Sequence, residues 1–256
     1  MKKIIVDIGS HKCEELNILL NIGNQKLILY LFWWFKFFSF AIKKYLFFIN
    51  VNFSQYGYKH SPTSINFDEH CKIIQIIFQK NTKKNVEVIS IEPNFSLCSN
   101  YIKKISEKFK IIYFPFILEK AKNYFAYKEY FQYSNTLSNS VFKKKKKYLK
   151  KNKLLSLDCD FFLNRIILDE KKSKNYSVLL RINCEGSEYN IIKSFIKNKI
   201  RFKNILGSIN DIKKIYGNKR YMEIINLLKK NNVKFTYFKG SDPSTWIDAK
   251  KIYKVF

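Results

Sequence analysis

The sequence predicts an α/β fold in which a mostly parallel sheet is covered by helices on both faces. Two segments, residues 2–20 and 176–196, each place a short apolar run before a tight turn and an amphipathic helical pattern. A third apolar run, Val86–Ile91, ends in an acidic residue followed by proline. Strands that alternate with helices in this way favour a parallel sheet.

The first segment places Asp7 and Gly9 directly after a β-branched run, and a helical spacing of leucines begins at Leu16. Glycine adopts backbone angles that other residues avoid, and it lets a ligand approach the main chain closely. We therefore expect Asp7 to accept hydrogen bonds from the loop amides or, through water, from a ligand.

The second run ends in Glu92 and Pro93. An acid at the end of the second strand of a nucleotide-binding unit holds ribose hydroxyls. An acid before proline is also an ordinary turn former, because proline disfavours helix at the preceding residue. Both interpretations of Glu92 remain open at the level of sequence.

The third run leads into Glu185 and Glu188, which flank Gly186. Carboxylates at this turn would lie at the carboxyl end of a strand, where open α/β sheets bind their ligands. The alternative is helix capping, because the first turn of a helix has unsatisfied N–H groups that attract negative charge.

Taken in order, Asp7-Ile8-Gly9-Ser10, Ile91-Glu92-Pro93-Asn94 and residues 181–188 resemble the motifs of the FkbM family of S-adenosylmethionine-dependent methyltransferases. The resemblance implies a Rossmann-like class I methyltransferase fold, with residues 1–256 as a single domain. It also implies S-adenosyl-L-methionine as cofactor and O-methylation of a hydroxyl on a sugar, glycan or similar small acceptor, as in polysaccharide biosynthesis.

The resemblance also assigns site residues. The implied cofactor-binding residues are Asp7, Gly9, Ser10, His11, Glu92, Asn94, Ser138 and Ser140. The implied residues at the transfer site are Asn183, Glu185, Glu188 and His11, and no metal site is expected. Glu185 or Glu188 would accept the proton of the acceptor hydroxyl, with His11 as the second choice, since its ordinary pKa suits a base. The alternative for His11 is an exposed loop side chain.

Three residues depart from the family pattern. Asn183 stands where the family has Asp, Arg181 where it has Lys, and Cys13 where it has a further Gly. A neutral amide is not a base, so Asn183 cannot replace an Asp that carries a proton or binds a metal. A catalytically impaired protein that keeps the cofactor fold as a scaffold is therefore a second hypothesis.

Residues 21–85 form a predicted insertion after the first strand and helix. Asp7 and Glu92 are 85 positions apart, whereas the two motifs of a dinucleotide fold are about 20 residues apart. The insertion contains an aromatic stretch, residues 27–42, that is interrupted by Lys36. It fits helices packed in the core or capping the substrate site, or an amphipathic surface that contacts an anionic membrane.

The net charge of +28 comes mainly from lysine, and the chain contains only four arginines. Nucleic-acid sites usually use arginine for bidentate contacts, so a nucleic-acid partner is not favoured, and a nucleic-acid methyltransferase stays as an alternative. The lysine run at 143–147 fits a solvated loop or a loop that attracts an anionic acceptor. Five cysteines without metal-ligand spacing indicate reduced thiols. We expect a cytoplasmic protein, either free or peripheral to the inner face of the membrane.

Further elements are predicted beyond these motifs. A helix is predicted over residues 221–230, and a strand end followed by a helix over residues 154–167. Further strands are predicted over residues 110–116, 202–209, 233–238 and 251–256.

Overall fold

The computed structural model describes residues 2–10, 13–46, 58–80, 85–132, 150–163, 176–184, 186–198 and 204–256. The chain divides into two compact units. Unit 1 comprises Met1–Lys12, Asn85–Thr236 and Phe256, and unit 2 comprises Cys13–Lys84 and Tyr237–Val255. We predicted one domain with an insertion over 21–85. The structure instead groups almost the whole of that insertion with the first helix and with the C-terminal segment.

The strands lie mostly in unit 1. Their bounds are β1 (Lys2–Ile8), β2 (Val86–Ile91), β3 (Lys110–Phe114), β4 (Ile117–Glu119), β5 (Phe125–Gln132), β6 (Lys150–Asp158), β7 (Tyr176–Ile182), β8 (Asn204–Gly207) and β9 (Lys234–Tyr237). Among the residues that the structure describes, the main sheet has six strands in the order β3-β2-β1-β7-β8-β9. The pairs β1–β2, β1–β7, β2–β3 and β7–β8 are all parallel. The predicted α/β fold class is confirmed, and this order is consistent with a Rossmann-like fold.

The strands of the main sheet form because their apolar residues can be buried on both faces, which is typical of a parallel sheet. Side chains alternate between the two faces. One face of the sheet carries Val6, Ile89 and Leu180, which belong to the main hydrophobic core of unit 1. Each is followed by a polar residue on the opposite face, and these three polar residues are Asp7, Ser90 and Arg181.

The described helices of unit 1 are α4 (Phe95–Ser106), α5 (Cys159–Phe162), α6 (Glu188–Lys197) and α7 (Asn210–Lys230). Helix α6 confirms the amphipathic pattern after the third motif, because Tyr189, Ile191 and Phe195 are buried in the core. Helix α7 begins eleven positions before the predicted start at 221. Gly217 interrupts it with a φ of 82°, so the predicted segment is the part that follows this kink.

A second sheet of unit 1 was not predicted. In its described part it has three strands in the order β4-β6-β5, of which β4 and β6 are parallel and β5 and β6 antiparallel. The predicted strand at 154 is the end of β6, which begins at Lys150. Strand β5 is difficult to predict, because Phe125 and Tyr127 face solvent while Tyr130 and Phe131 are buried.

Unit 2 is helical in its described residues. It contains α1 (Glu14–Leu20), α2 (Gln25–Leu46), α3 (Phe67–Phe78) and α8 (Trp246–Val255), with 3-10 turns at Pro62–Ser64 and Pro243–Thr245. The predicted final strand over 251–256 is wrong, since residues 251–255 belong to α8. Trp246, Ala249, Lys250 and Tyr253 are buried at the spacing of one helical face.

Helix α2 differs from a helix packed in a core. Its buried side chains are Lys26 and Trp33. Many of its large apolar side chains face solvent, including Ile28, Phe32 and Phe35. The interpretation of residues 27–42 as a helix buried in the core is therefore wrong.

Candidate functional site

The three sequence motifs meet at the carboxyl ends of three neighbouring strands. The N–H of Gly9, after β1, donates to the carbonyl of Ile91 at the end of β2 over 2.9 Å. The N–H of Asn183, after β7, donates to the carbonyl of Ile8 over 3.0 Å. Strand β1 is also where the strand order reverses between β2 and β7. Open α/β sheets bind ligands at the carboxyl ends of the strands beside such a reversal.

Gly9 is required by the contact between β1 and β7. Its φ is 73°, which lies in the left-handed region that favours glycine. A Cβ atom at this position would lie 2.1 Å from the carbonyl oxygen of Asn183. The turns after β1 and β7 therefore approach each other so closely that only glycine fits at position 9.

Asp7 is part of a buried ion pair. Its side chain and that of Arg181 are each 1% exposed, and Nη1 of Arg181 lies 3.0 Å from Oδ1 of Asp7. The two residues are register partners on the parallel strands β1 and β7. The same Nη1 donates to the carbonyl oxygen of Gly9 over 2.7 Å. Asp7 thus fixes Arg181 against the glycine turn.

Ser10 also has an internal role. Its hydroxyl is fully buried, lies 2.6 Å from the hydroxyl of Ser90, and donates to the carbonyl of Asp7 over 3.2 Å. The hydrogen bond between the Ser10 and Ser90 hydroxyls joins the end of β1 to β2, on the face of the sheet that carries Asp7. The Ser10 side chain therefore contributes to the shape of the turn.

Glu92 lies at the end of β2, where the sequence predicts a residue that binds ribose. Its Oε1 accepts the N–H of Asn94 over 3.0 Å. The hydroxyl of Tyr113 donates to the carbonyl of Glu92. These bonds hold the turn before α4 and place the Glu92 carboxylate at the same sheet edge as Gly9. Both predicted interpretations, turn former and ligand carboxylate, agree with this position.

Glu188 fastens the turn between β7 and α6. Its two carboxylate oxygens accept the N–H groups of Cys184, over 2.8 Å, and of Gly186, over 2.6 Å. The side chain is fully buried. Burial raises the pKa of Glu188 to about 7, although its hydrogen bonds to backbone N–H groups partly oppose the rise. The described contacts favour the capping interpretation of Glu188 over that of a base for the acceptor.

Two buried cysteines of unit 1, Cys98 and Cys159, have raised pKa values. Cys98 lies on α4, and its Sγ donates to the carbonyl of Asn94 over 3.7 Å. Burial raises the pKa of Cys98 to about 11 and raises the pKa of Cys159 well above its ordinary value. Burial therefore disfavours the thiolate, which is the nucleophilic form of cysteine, in both side chains.

Cys13 has a backbone conformation that glycine favours. It is buried and has a φ of 53° immediately before α1. A glycine at this point of the chain would adopt the same angle with less strain. Cys13, which replaces a glycine of the motif that the sequence resembles, therefore keeps a backbone conformation of the glycine type.

Some predicted residues lie outside the described residues. They are His11, Ser138, Ser140 and Glu185, together with the lysine run at 143–147. Asn183, Glu92, Asn94, Gly9 and Ser10 are described and belong to the turns that follow β1, β2 and β7.

Sequence reasoning missed the roles of Arg181 and Ser90. Arg181 was treated as a substitute for a family lysine, whereas it is the buried partner of Asp7. A signal was present, because Asp7 and Arg181 each lie one residue before the last residue of their strands. Opposite charges at matching positions of neighbouring parallel strands predict an ion pair once the register is known.

In the part of the chain that the structure describes, no group of three or more His, Cys, Asp or Glu side chains is arranged to hold a metal ion. Of the described helices, none is long and apolar enough to cross a bilayer. Comparison of the chain with protein-family models, curated proteins and solved structures gives no match.

Proposed function

We propose that this protein is an S-adenosylmethionine-dependent methyltransferase that transfers a methyl group to a hydroxyl of a sugar, glycan or similar small acceptor. The observation that carries the proposal is the convergence of three motifs, separated by long stretches of sequence, at one edge of a parallel sheet. The Gly9 turn, Glu92 and Asn183 follow β1, β2 and β7, the three strands around the reversal of strand order.

The described residues fit one part of this cofactor well. Glu92 is a carboxylate at the end of β2, adjacent in the chain to Ile91, whose carbonyl accepts the N–H of Gly9. A carboxylate in this position suits the two hydroxyls of a ribose, because each hydroxyl donates to one oxygen. Gly9 and Ser10 would shape the turn beside the cofactor, because the N–H of Gly9 and the hydroxyl of Ser10 are already bonded within the fold.

When bound, S-adenosylmethionine supplies an electrophilic methyl group, so the protein must orient the acceptor hydroxyl and remove its proton. Asn183 can donate or accept a hydrogen bond that orients the acceptor, but its amide cannot take the proton. Glu188 already accepts two backbone N–H groups. We therefore assign the base to Glu185 or His11, which follow Cys184 and Ser10 in the sequence.

The proposal is tested by calorimetric titration of the full-length protein with S-adenosylhomocysteine. We expect micromolar binding, and Glu92→Ala should weaken it about 10- to 100-fold because it removes charge-assisted hydrogen bonds. Glu107→Ala is the matched control, since Glu107 is an exposed carboxylate after α4. It should bind as the wild type does.

Two results would contradict the proposal: no binding by the folded wild type, or equal binding by the Glu92 and Glu107 variants. Urea denaturation of both variants shows whether the fold is retained. Replacing Glu92 also removes the acceptor for the Asn94 N–H, so a modest loss of stability, about 1 kcal/mol, is expected and does not count against the site.

A catalytically impaired scaffold is the second candidate. The observation that favours it is the chemistry at the end of β7, where Asn183 is neutral and Glu188 is engaged by the turn. The two candidates differ in cofactor binding, because a non-catalytic scaffold is not expected to bind S-adenosylhomocysteine, whereas the enzyme binds it and forms it when a hydroxyl acceptor is methylated. Glu185→Gln distinguishes them further, since it abolishes turnover without loss of binding only in the enzyme.

A further inference from the structure

Helix α2 has an apolar face that points to solvent. Its 22 residues, Gln25–Leu46, make it about 33 Å long. The exposed large aliphatic and phenylalanine side chains recur every three or four positions, so they lie on one side of the helix. We call them the apolar face of α2: Leu27, Ile28, Leu31, Phe32, Phe35, Phe38, Ile42 and Leu46, each between 39% and 68% exposed.

The opposite side of α2 is held in place by hydrogen bonds. Lys26 is buried, and its ammonium group donates to the carbonyl of Ile76 over 2.7 Å. Trp33, two turns later, is fully buried and donates from Nε1 to the carbonyl of His60 over 3.2 Å. The helix cannot rotate its apolar face inward without breaking these bonds. A buried ammonium without its acceptors costs several kcal/mol, so this orientation is built into unit 2.

The charges of α2 match an anionic surface. The helix contains four lysines and no Asp or Glu. Lys36 and Lys43 are exposed and seven positions apart, so they lie along one border of the apolar face, next to Phe32. Unit 2 as a whole has thirteen lysines against six acidic residues, a net charge of +7.

An apolar face rich in phenylalanine and bordered by lysines is typical of helices that lie in the plane of a membrane surface. The apolar side chains enter the boundary between headgroups and acyl chains, and the lysines contact anionic headgroups. Of the described helices, α2 included, none is both long enough and apolar enough to cross a bilayer. We propose that α2 docks unit 2 on the surface of an anionic lipid bilayer, with its apolar face inserted and Lys36 and Lys43 on the headgroups.

A second copy of the chain fits this face less well. A two-fold dimer would bring identical surfaces together, and the lysine borders of two α2 helices would then approach each other. Like charges across an interface cost free energy, whereas anionic lipid supplies the opposite charge. The inference stands on α2 alone and does not depend on the proposed methyl transfer.

The test is flotation of the full-length protein with lipid vesicles in a density gradient. We expect the protein to float with vesicles of phosphatidylcholine mixed with phosphatidylglycerol, and to float much less with phosphatidylcholine alone. Phe35→Glu should lower the partition onto anionic vesicles about tenfold, because it places a charge in the inserted face. Phe67→Glu is the matched control: Phe67 is 80% exposed on α3 of the same unit, and its variant should bind as the wild type does.

A second pair of variants tests the charges. Lys36→Glu with Lys43→Glu should weaken binding about tenfold or more, because each lysine near an anionic surface contributes roughly 1 kcal/mol and reversal adds repulsion. Lys219→Glu with Lys229→Glu makes the same change of net charge on exposed positions of α7. This control should bind within about twofold of the wild type, because its lysines lie outside the docking helix.

The proposal is overturned if the wild type does not float with anionic vesicles, or if Phe67→Glu weakens binding as much as Phe35→Glu does. Sedimentation velocity without lipid tests the second copy as occupant. A monomeric wild type supports the proposal. A wild type that is dimeric, and that becomes monomeric on Phe35→Glu, overturns it. Circular dichroism of each variant confirms that differences in flotation do not arise from unfolding.

Discussion

The carboxyl edge of the main sheet and helix α2 place polar and apolar groups in opposite ways. At the sheet edge, Asp7, Arg181 and Ser10 are buried, and each is bonded to another group of the turns or strands. In α2 a lysine is buried while phenylalanines face solvent. The comparison indicates that buried polar groups at the sheet edge fix the geometry of turns, whereas the exposed apolar groups of α2 contribute little to folding and are available for binding.

The largest expected effect comes from the glycine turn. Gly9→Ala should destabilise the protein by more than about 4 kcal/mol, since its Cβ would overlap the carbonyl of Asn183. Gly217→Ala is the matched control, because Gly217 also has a positive φ but no atom within 4 Å of an added Cβ. It should cost about 1–3 kcal/mol, from backbone strain alone. Urea denaturation measures both, and similar losses would show that the contact with Asn183 is unimportant.

The buried ion pair gives the next effect. Arg181→Met leaves Asp7 in the interior without its cation, and should cost about 4 kcal/mol of unfolding free energy. The double variant Asp7→Val, Arg181→Met removes both charges and should recover at least half of that loss. Urea denaturation of the two variants gives the comparison. A double variant less stable than Arg181→Met would contradict this prediction. It would show that the ion pair adds to the unfolding free energy beyond the neutralisation of two buried charges.

Within α2, buried and exposed aromatic residues should differ. Trp33→Ala empties a fully buried site and removes the hydrogen bond to the carbonyl of His60, at a cost of about 3 kcal/mol. Phe35→Ala, two positions later and 65% exposed, should change stability by no more than about 0.5 kcal/mol. Thermal and urea denaturation without lipid measure both. Equal losses would mean that the apolar face is packed in solution.

The smallest predicted effect depends on pH. Burial raises the pKa of Glu188 from 4.5 to about 7. The folded protein therefore keeps a proton that the unfolded chain has lost between these values, and this contribution to stability decreases as the pH rises through that window. Glu188→Gln has no such titration. The wild type should lose about 2 kcal/mol relative to the variant between roughly pH 5 and pH 7.5.

Urea denaturation at several pH values checks this prediction. The difference between the two proteins should be constant above about pH 8. A difference that is independent of pH throughout would show that the hydrogen bonds from Cys184 and Gly186 keep the carboxylate ionised. In that case the turn would be held by a charged group at all these pH values.

The sequence predicts the elements whose signals are local. Strands β1, β2 and β7 are visible because apolar runs end at a glycine or an acid, and α6 is visible because its apolar residues recur at helical spacing. Strand β5 and helix α8 were not predicted, since β5 mixes exposed and buried aromatics and α8 buries a lysine on its packed face. Both depend on partners that are distant in sequence.

The candidate site shows the same limit. The positions of Gly9, Glu92 and Asn183 at one sheet edge follow from the rule that parallel strands share their carboxyl ends. The pairing of Asp7 with Arg181 requires the register between β1 and β7, and the bond between Ser10 and Ser90 requires the adjacency of β1 and β2. The role of Glu188 depends on the fold of its own turn. These are tertiary facts, which a pattern along one chain does not contain.

The most direct test of the account is a crystal structure of the protein with S-adenosylhomocysteine. The account predicts that the ligand lies at the carboxyl ends of β1 and β2, with its ribose hydroxyls on the carboxylate of Glu92 and its amino-acid end near the turn at Gly9. A ligand bound elsewhere in unit 1, or a ribose that does not contact Glu92, would contradict it.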